Sequence, residues 1–283
     1  ASLVNTAYFY HVTCIMADVA GILNKKDDEH HLRTLVETIR KNFNAAFYNE
    51  ATHHYGEGKQ GADVFALAFG LVPEGKREKV FAALLGHLEK VNYHFDTGIL
   101  ATPLLLQVLT ENGRADLAYK LMNQRDFPSY GYLADKKNNT LWETWNGDGN
   151  DEGCGHCHPM FGSVVAWFYH SLAGIKPDQS DPGMKHFYIE PMIVPDLKYC
   201  RATYDSQYGK ISSDWKIDEN GNLNLKIEVP ANTSATVIIP DWGGRTVLES
   251  GKPVSEVSNI VIDKVDSARM KVSSGVYHFV ILK

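Results

Sequence analysis

Long apolar runs are missing from this chain. No stretch approaches the roughly 18 consecutive apolar residues that a membrane-spanning helix needs, so no membrane partner is expected. The opening Ala1-Ser2-Leu3-Val4-Asn5 lacks a basic segment followed by an apolar one, the mark of a targeting peptide. It begins instead in helix-forming sequence without an initiator methionine, and the expectation is a mature form or a fragment; the compartment stays open. Blocks of one charge are missing too: 28 Lys and Arg stand interspersed with 34 Asp and Glu, for a formal charge of -6. A surface for nucleic acid or anionic membrane wants clustered cations, so neither is expected, and a neutral or weakly polar ligand is. Cysteine is scarce. Cys14, Cys154, Cys157 and Cys200 are too few and too scattered for a disulfide scaffold. No repeat of 20 to 50 residues is evident in the sequence.

What is present suffices for a core. With 44% hydrophobic residues over 283 positions, the chain falls between one large domain and two ordinary ones. From Asn5 the residues Tyr8, Val12, Ile15, Met16, Val19, Ile22 and Leu23 recur at three- and four-residue spacing, one stripe of a helix ended by Asn24 to Asp28. Leu32, Leu35, Val36, Ile39, Phe43 and Phe47 form the stripe of a second helix, and the pair reads as a hairpin. Gln60 to Phe69 predicts a third helix, stopped by Gly70 and Pro73, and Lys76 to Val91 a fourth with Val80, Leu84, Leu88 and Val91 inward. A fifth runs from Thr97-Gly98 through Leu109, with Pro103 near its first turn, and a sixth from Arg114 to Asn123. Phe127 to Pro159 reads as a loop region, and Met160 to Leu172 as a seventh helix. Such a rhythm of hairpins implies stacked helical pairs, as in a toroid or solenoid.

The polar, proline-bearing break from Lys176 to Gly183 precedes a change of hydrophobic period from helical to two. It divides the chain into a helical region, 1–176, and a β domain, 177–283. Ile211, Ser213, Trp215 and Ile217 alternate with polar residues, Asp218-Glu219-Asn220-Gly221 supplies a turn, and Leu223, Leu225, Ile227 and Val229 alternate back as a β-hairpin. Val237 to Ile239, Ile260 to Ile262 and Val276 to Leu282 are further strands of an antiparallel sandwich. The last is apolar on both faces, which predicts a place inside the sheet.

The chemistry concentrates in Leu141-Trp142-Glu143-Thr144-Trp145-Asn146-Gly147 and in Cys154-Gly155-His156-Cys157-His158-Pro159. A carboxylate between two tryptophans is costly to bury unless something polar is held there, and a sugar-hydrolysing site is the leading expectation. Cys154, Cys157 and His158 also fit the C-x-x-C-H haem-attachment pattern, and with His156 a zinc set, so a haem or zinc protein stays open as an alternative. Against it stands the need for four groups to close on one metal, and a pair of reduced thiols or one local disulfide is the simpler expectation. Asp148, Asp151 and Glu152 lack the order of a calcium loop and read as solvated. Gln60, Asp63 and Asp96-Thr97 either line a cavity or cap helices. Asn138-Asn139-Thr140 and Asn232-Thr233-Ser234 fit the glycosylation pattern, which is common by chance. No cofactor and no metal are expected.

Several stretches, in order, resemble bacterial α-L-rhamnosidases, inverting glycoside hydrolases with a six-hairpin (α/α)6 toroid followed by a β domain. They are Asn5-Thr6-Ala7-Tyr8-Phe9-Tyr10, Ala66-Leu67-Ala68-Phe69-Gly70-Leu71-Val72-Pro73, Thr97-Gly98-Ile99-Leu100-Ala101-Thr102-Pro103, and Asn112-Gly113-Arg114-Ala115-Asp116-Leu117-Ala118-Tyr119. They continue through Phe127-Pro128-Ser129-Tyr130, Thr140-Leu141-Trp142-Glu143 and His158-Pro159-Met160-Phe161-Gly162-Ser163-Val164. The tail adds Arg201 to Ser206, Tyr208 to Ile211, and Val229-Pro230-Ala231-Asn232-Thr233. The likeness covers nearly the whole chain.

The resemblance implies hydrolysis of terminal α-L-rhamnosides, with a rhamnose-containing glycoside or polysaccharide as partner and Glu143 as the water-activating base. It implies Trp142 and Trp145 as stacking faces, and His158 or His94 as donors keeping the carboxylate ionised. Family toroids have twelve helices, about twice the number here, and their acidic residue lies upstream of the segment resembling Asn5 to Tyr8. The expectation is therefore the C-terminal part of such an enzyme, carrying the base, inactive alone, and prone to self-association or to pairing with a missing N-terminal half. Cys157 stands where the family usually has Asn, and Ala101 where Gly is common. A non-catalytic carbohydrate-binding or assembly module is the second alternative.

Overall fold

Six helices open the chain as three hairpins: α1 (Ser2–Ile22) with α2 (Lys26–Phe47), α3 (Gln60–Ala68) with α4 (Arg77–Lys90), and α5 (Thr102–Glu111) with α6 (Ala115–Met122). The computed structural model describes residues 2–136, 140–146, 154–240, 243–263 and 268–283. Asp148, Asp151, Glu152, Gly147 and the Asn138-Asn139 pair lie outside them. By its contacts the chain divides at Val164/Val165 into two units.

Local chemistry sets the helix ends. Asp27, Asp28 and Glu29 fill the first turn of α2, where carboxylates meet the positive end of the helix dipole. Pro103 occupies the first turn of α5, where its missing N–H costs nothing. The first N–H of α3, that of Gln60, is taken by Asp96 Oδ1 at 3.1 Å, a cap supplied from the loop before α5. A short helix, α7 (Tyr130–Asp135), is capped by Ser129 Oγ, which accepts the Tyr132 N–H. The sequence pattern reads as loop there.

α3 packs against α1 and α5, and α5 against the 3-10 turn Pro159–Val164, while α2, α4 and α6 pair with the helix before each. Hydrogen bonds link the connections between these elements: Gln60 N–H and Nε2–H, at the start of α3, donate to Asp96 Oδ1 and His94 O, and Trp145 Nε1–H donates to Thr97 O. Buried on α2 are Val36, Ile39 and Phe43, and on α4 Val80, Leu84 and Leu88, as their spacing predicts. In α1 the buried residues are instead Ala7, Tyr10, Thr13, Ala17 and Ala20. The apolar stripe lies on the other side, with Val12, Ile15, Met16 and Val19 exposed and Ile22 83% exposed.

The second unit begins with a broken helix, α8 (Val165–Trp167) followed by the π-helical turn Phe168–Leu172, where the sequence predicts one continuous helix. Its end is tied to a sheet: Trp215 Nε1–H donates to Leu172 O and Ser213 Oγ to Ala173 O, each at 2.7 Å, satisfying carbonyls that a helix terminus leaves without partners. The strands are β1 (Ile175–Pro177), β2 (His186–Ile189), β3 (Tyr199–Ser206), β4 (Gly209–Ile217), β5 (Leu223–Ile238), β6 (Val247–Glu249), β7 (Lys252–Pro253), β8 (Ile260–Ile262) and β9 (Arg269–Ile281). β4 and β5 form the hairpin that alternation predicts, closed by Asp218, whose Oδ1 accepts the Asn220 and Asn222 N–H groups.

β5 is twice the expected length, because the irregularity between Val229 and Ser234 interrupts pairing without ending the strand. Gly275, at φ +154, faces Val229 across the β5–β9 ladder, so both long strands change course together. The first half of β5 pairs with β4 and the second with β2, so β5 joins these strands into one sheet. The β2–β5 pairing is parallel, the one departure from the antiparallel expectation among the described strands. β9 has β5 on one side and β6 and β8 on the other, inside the sheet as predicted, yet Val276 and His278 on it are exposed. The core is Trp215, Phe187, Phe279 and the aliphatic residues of β4, β5 and β9.

Candidate active site

Glu143 sits in the connection leading into the 3-10 turn, where residues 141–143 and 155–158 run beside each other. Glu143 N–H donates to Gly155 O at 2.9 Å and His158 N–H to Leu141 O at 2.8 Å. The Gly155 N–H in turn donates to Glu143 Oε2 at 3.0 Å. A half-buried carboxylate thus receives a backbone donor, which satisfies an otherwise costly group. The sequence points to His158 or His94 for this donor; a glycine amide supplies it, invisible in a list of side chains.

His158 is brought to the same place. A point one Cβ bond from Gly155 lies 3.3 Å from Glu143 Oε2 and 3.9 Å from His158 Cδ2, so both side chains stand beside that glycine. On the other edge of the ring, His158 Nδ1 is buried without a hydrogen-bond partner among the described residues.

His94 is held elsewhere. Its Nδ1 is 3.1 Å from Val91 O and its Nε2 2.8 Å from Asp126 Oδ1, and this contact holds the Asp126 carboxyl below the usual range. Both ring nitrogens are engaged away from Glu143. Trp142 is buried and stacked on His156, with ring centroids 5.1 Å apart. Trp145 is buried among Phe95, Tyr130 and Phe161, and its indole N–H donates to Thr97 O at 2.7 Å. That bond ties the Glu143 segment to the connection before α5.

Thr97 and Asp96 line a cleft of ≈ 570 Å³ walled by Leu3, Phe47, Phe65 and Leu100. Gln60 and Asp63 stand behind the wall, with no exposed surface. Gln60 Nε2–H donates to His94 O at 2.7 Å and its Oε1 accepts the Asp96 N–H at 3.1 Å, while Asp96 Oδ2 is 2.6 Å from His87 Nε2. Asp63 accepts from His54 Nδ1–H at 2.6 Å and from Tyr55 N–H at 2.8 Å. Burial pushes its carboxyl pKa up, and the two donors act against that rise. No signal beyond proximity to helix starts marks these groups in the sequence.

The cysteine motif makes no convergent donor set. Cys154 Sγ is 3.3 Å from Thr144 Oγ1, Cys157 is exposed, and both are free thiols. Among the described residues no three His, Cys, Asp or Glu side chains are grouped to hold a metal ion.

Comparison with known proteins gives this geometry a setting. Residues 1–172 match the bacterial alpha-L-rhamnosidase 6 hairpin glycosidase domain, and residues 174–252 the bacterial alpha-L-rhamnosidase C-terminal domain. An alpha-L-rhamnosidase of Formosa agariphila is 31% identical over 98% of this chain and 31% of its own length. One from Streptomyces avermitilis is 36% identical over 84% of this chain and 23% of its own. The crystal structure of Streptomyces avermitilis alpha-L-rhamnosidase complexed with L-rhamnose superposes with a TM-score of 0.85 at 32% identity, covering 98% of this chain and 26% of that one. The chain thus spans about a quarter to a third of the length of these relatives. It belongs to the bacterial α-L-rhamnosidase family, part of a six-hairpin toroid followed by the family's C-terminal β domain.

Proposed function

We propose that this chain supplies the water-activating carboxylate of an enzyme that hydrolyses terminal α-L-rhamnosides with inversion. The supporting observation is Glu143, a half-buried carboxylate bonded at Oε2 by the Gly155 N–H, with the His158 ring beside the same glycine. Glu143 takes a proton from water as the water oxygen bonds to the anomeric carbon, the glycosidic C–O bond breaks, and a second carboxylic acid protonates the leaving oxygen. The acid and base of such a pair stand roughly 6.5–9.5 Å apart, leaving room for the water. We assign the acid to sequence outside these 283 residues, and the catalytic contribution of the chain to residues 1–176, with 177–283 as a supporting β-sandwich.

Trp142 beside the carboxylate, and Trp145 behind it, form the apolar wall against which the sugar ring is held, with His158 on the sugar's polar side. His94 acts from farther back, through the Gln60 and Asp126 contacts that set the 92–101 connection. The substrate class is a rhamnose-containing glycoside or polysaccharide. The exposed stripe of α1 is the surface through which the chain pairs with the rest of the enzyme or, lacking it, with itself.

In the full-length protein, Glu143→Gln should lower kcat on an aryl rhamnoside about a hundred- to ten-thousand-fold. Near-normal turnover by that variant would overturn the assignment. The isolated 283-residue chain should show negligible hydrolysis; robust turnover by it would place both carboxylates within these residues and end the division of labour proposed here.

A further inference from the structure

We propose that Gly155 is a positioning residue for the base: its N–H fixes one oxygen of the Glu143 carboxylate, and its lack of a side chain keeps that carboxylate seated. The inference rests on the reading of Glu143 as base.

The pairing is reciprocal. Glu143 N–H donates to Gly155 O and Gly155 N–H to Glu143 Oε2, so one residue holds both the backbone and the functional end of the other. The His158 N–H to Leu141 O bond, one step along, sets the register. A carboxylate with one oxygen held by the backbone has its second oxygen oriented, with little side-chain entropy left to lose in the transition state.

The glycine is not there for its backbone. Many glycines of this chain occupy the left-handed region, and Gly155 does not. What a glycine provides here is space. An ideal Cβ would stand 3.3 Å from Glu143 Oε2, closer than ordinary contact, with His158 Cδ2 3.9 Å away. Of these neighbours the carboxylate is the nearest, so even one methyl group presses on the atom the N–H must hold. Larger side chains press further.

The test uses the full-length protein with an aryl rhamnoside. Gly155→Ala should lower kcat about ten- to a hundred-fold, the scale of an ångström-sized misplacement, and Gly155→Val more, with KM within about threefold. The loss should fall on kcat rather than KM, because the base is misplaced while the sugar's contacts remain. Gly162→Ala is the control: a Cβ there meets Leu141 Cδ1 at 3.3 Å, crowding the same segment through an apolar atom. It should lower thermal stability and leave kcat within about threefold of the wild type. Wild-type kcat in both Gly155 variants would overturn the proposal, as would an equal loss of kcat in Gly162→Ala. Should Gly155→Ala fail to fold, amide exchange decides: the Gly155 N–H must exchange faster in Glu143→Ala than in the wild type, and an unchanged rate overturns the proposal. Turnover surviving Glu143→Gln would instead break the underlying assignment, an outcome distinct from a silent Gly155.

Discussion

The two units solve the burial problem differently. In the β unit the inward residues of β4, β5 and β9 meet one another, and Trp215, Phe187 and Phe279 are sealed with no exposed surface. Even the polar atoms that follow them inside are paired, as with the Trp215 indole on Leu172 O. In the helical unit α3 and α5 are packed on more than one neighbour, yet α1 buries Tyr10, Thr13 and three alanines and turns Val12, Ile15, Met16, Val19 and Ile22 outward. A closed core makes folding free energy a property of that unit; an outward stripe adds none until something covers it. Functional groups follow the same divide: the sheet uses its polar side chains to complete its own bonding, whereas the helical unit brings Glu143 and His158 together and lines its cleft with Asp96 and Thr97.

The largest blow to this contrast should come from the sealed core. Trp215→Ala removes the largest fully buried side chain and strands the Leu172 carbonyl, and about 3–5 kcal/mol of stability should go with it in urea unfolding. Leu105→Ala, at the buried centre of α5, should cost about 2–5 kcal/mol in the helical unit. If neither variant lost more than about 1 kcal/mol, the packing described here would be wrong.

A smaller effect separates the two roles of an aromatic next to a carboxylate. Trp145→Phe keeps much of the ring and deletes the indole N–H, leaving Thr97 O without this donor at about 1–3 kcal/mol. The loss should surface locally, as faster amide exchange at Gly155 and His158, whose N–H groups hold the Glu143 segment together. Unchanged exchange would mean the segment does not depend on its tie to the cleft wall.

Much of the architecture was legible because period is a physical signature. Five helices and the 211–229 hairpin lie close to where spacing puts them, while α5 starts at Thr102, past the predicted Thr97-Gly98. Periodicity names a face, however, and not what covers it, so the stripe of α1 was visible and its exposure was not. Six residues are too few to show a period, and α7 emerges only through its Ser129 cap. Pro230 and Asn232 look like the end of a strand; Asn232 takes a left-handed φ of 62 and the strand resumes. Glu143 and His158 stood out by chemistry and resemblance. Gly155 did not, because a backbone donor carries no residue-type signal, and Trp145, expected as a face for the sugar, is buried among Phe95, Tyr130 and Phe161.

Acidity offers a slope in place of a step. Burial raises the Asp63 carboxyl pKa in the folded chain above its unfolded value, so the folded state holds more protons between the two. Stability at this site is therefore greatest below the unfolded pKa and declines as pH rises through the folded one. Asp63→Asn should flatten that part of the curve of urea midpoint against pH. A wild-type midpoint that climbs through this window, with the same climb in the variant, would show that the Asp63 contribution is absent or reversed.

The smallest expected effect is the most telling for the comparison. Val12→Ser, Met16→Gln and Ile22→Lys alter apolar residues that stand half-exposed or more on α1, and surface changes away from packed features stay within about 0.5 kcal/mol each. Such a triple variant should unfold near the wild-type midpoint. If the stripe does pair with a second copy, light scattering should show a lower apparent mass for the variant at high concentration. A stability loss of several kcal/mol would mean that the stripe is packed within this chain, and the distinction between a closed unit and an open one would fall with it.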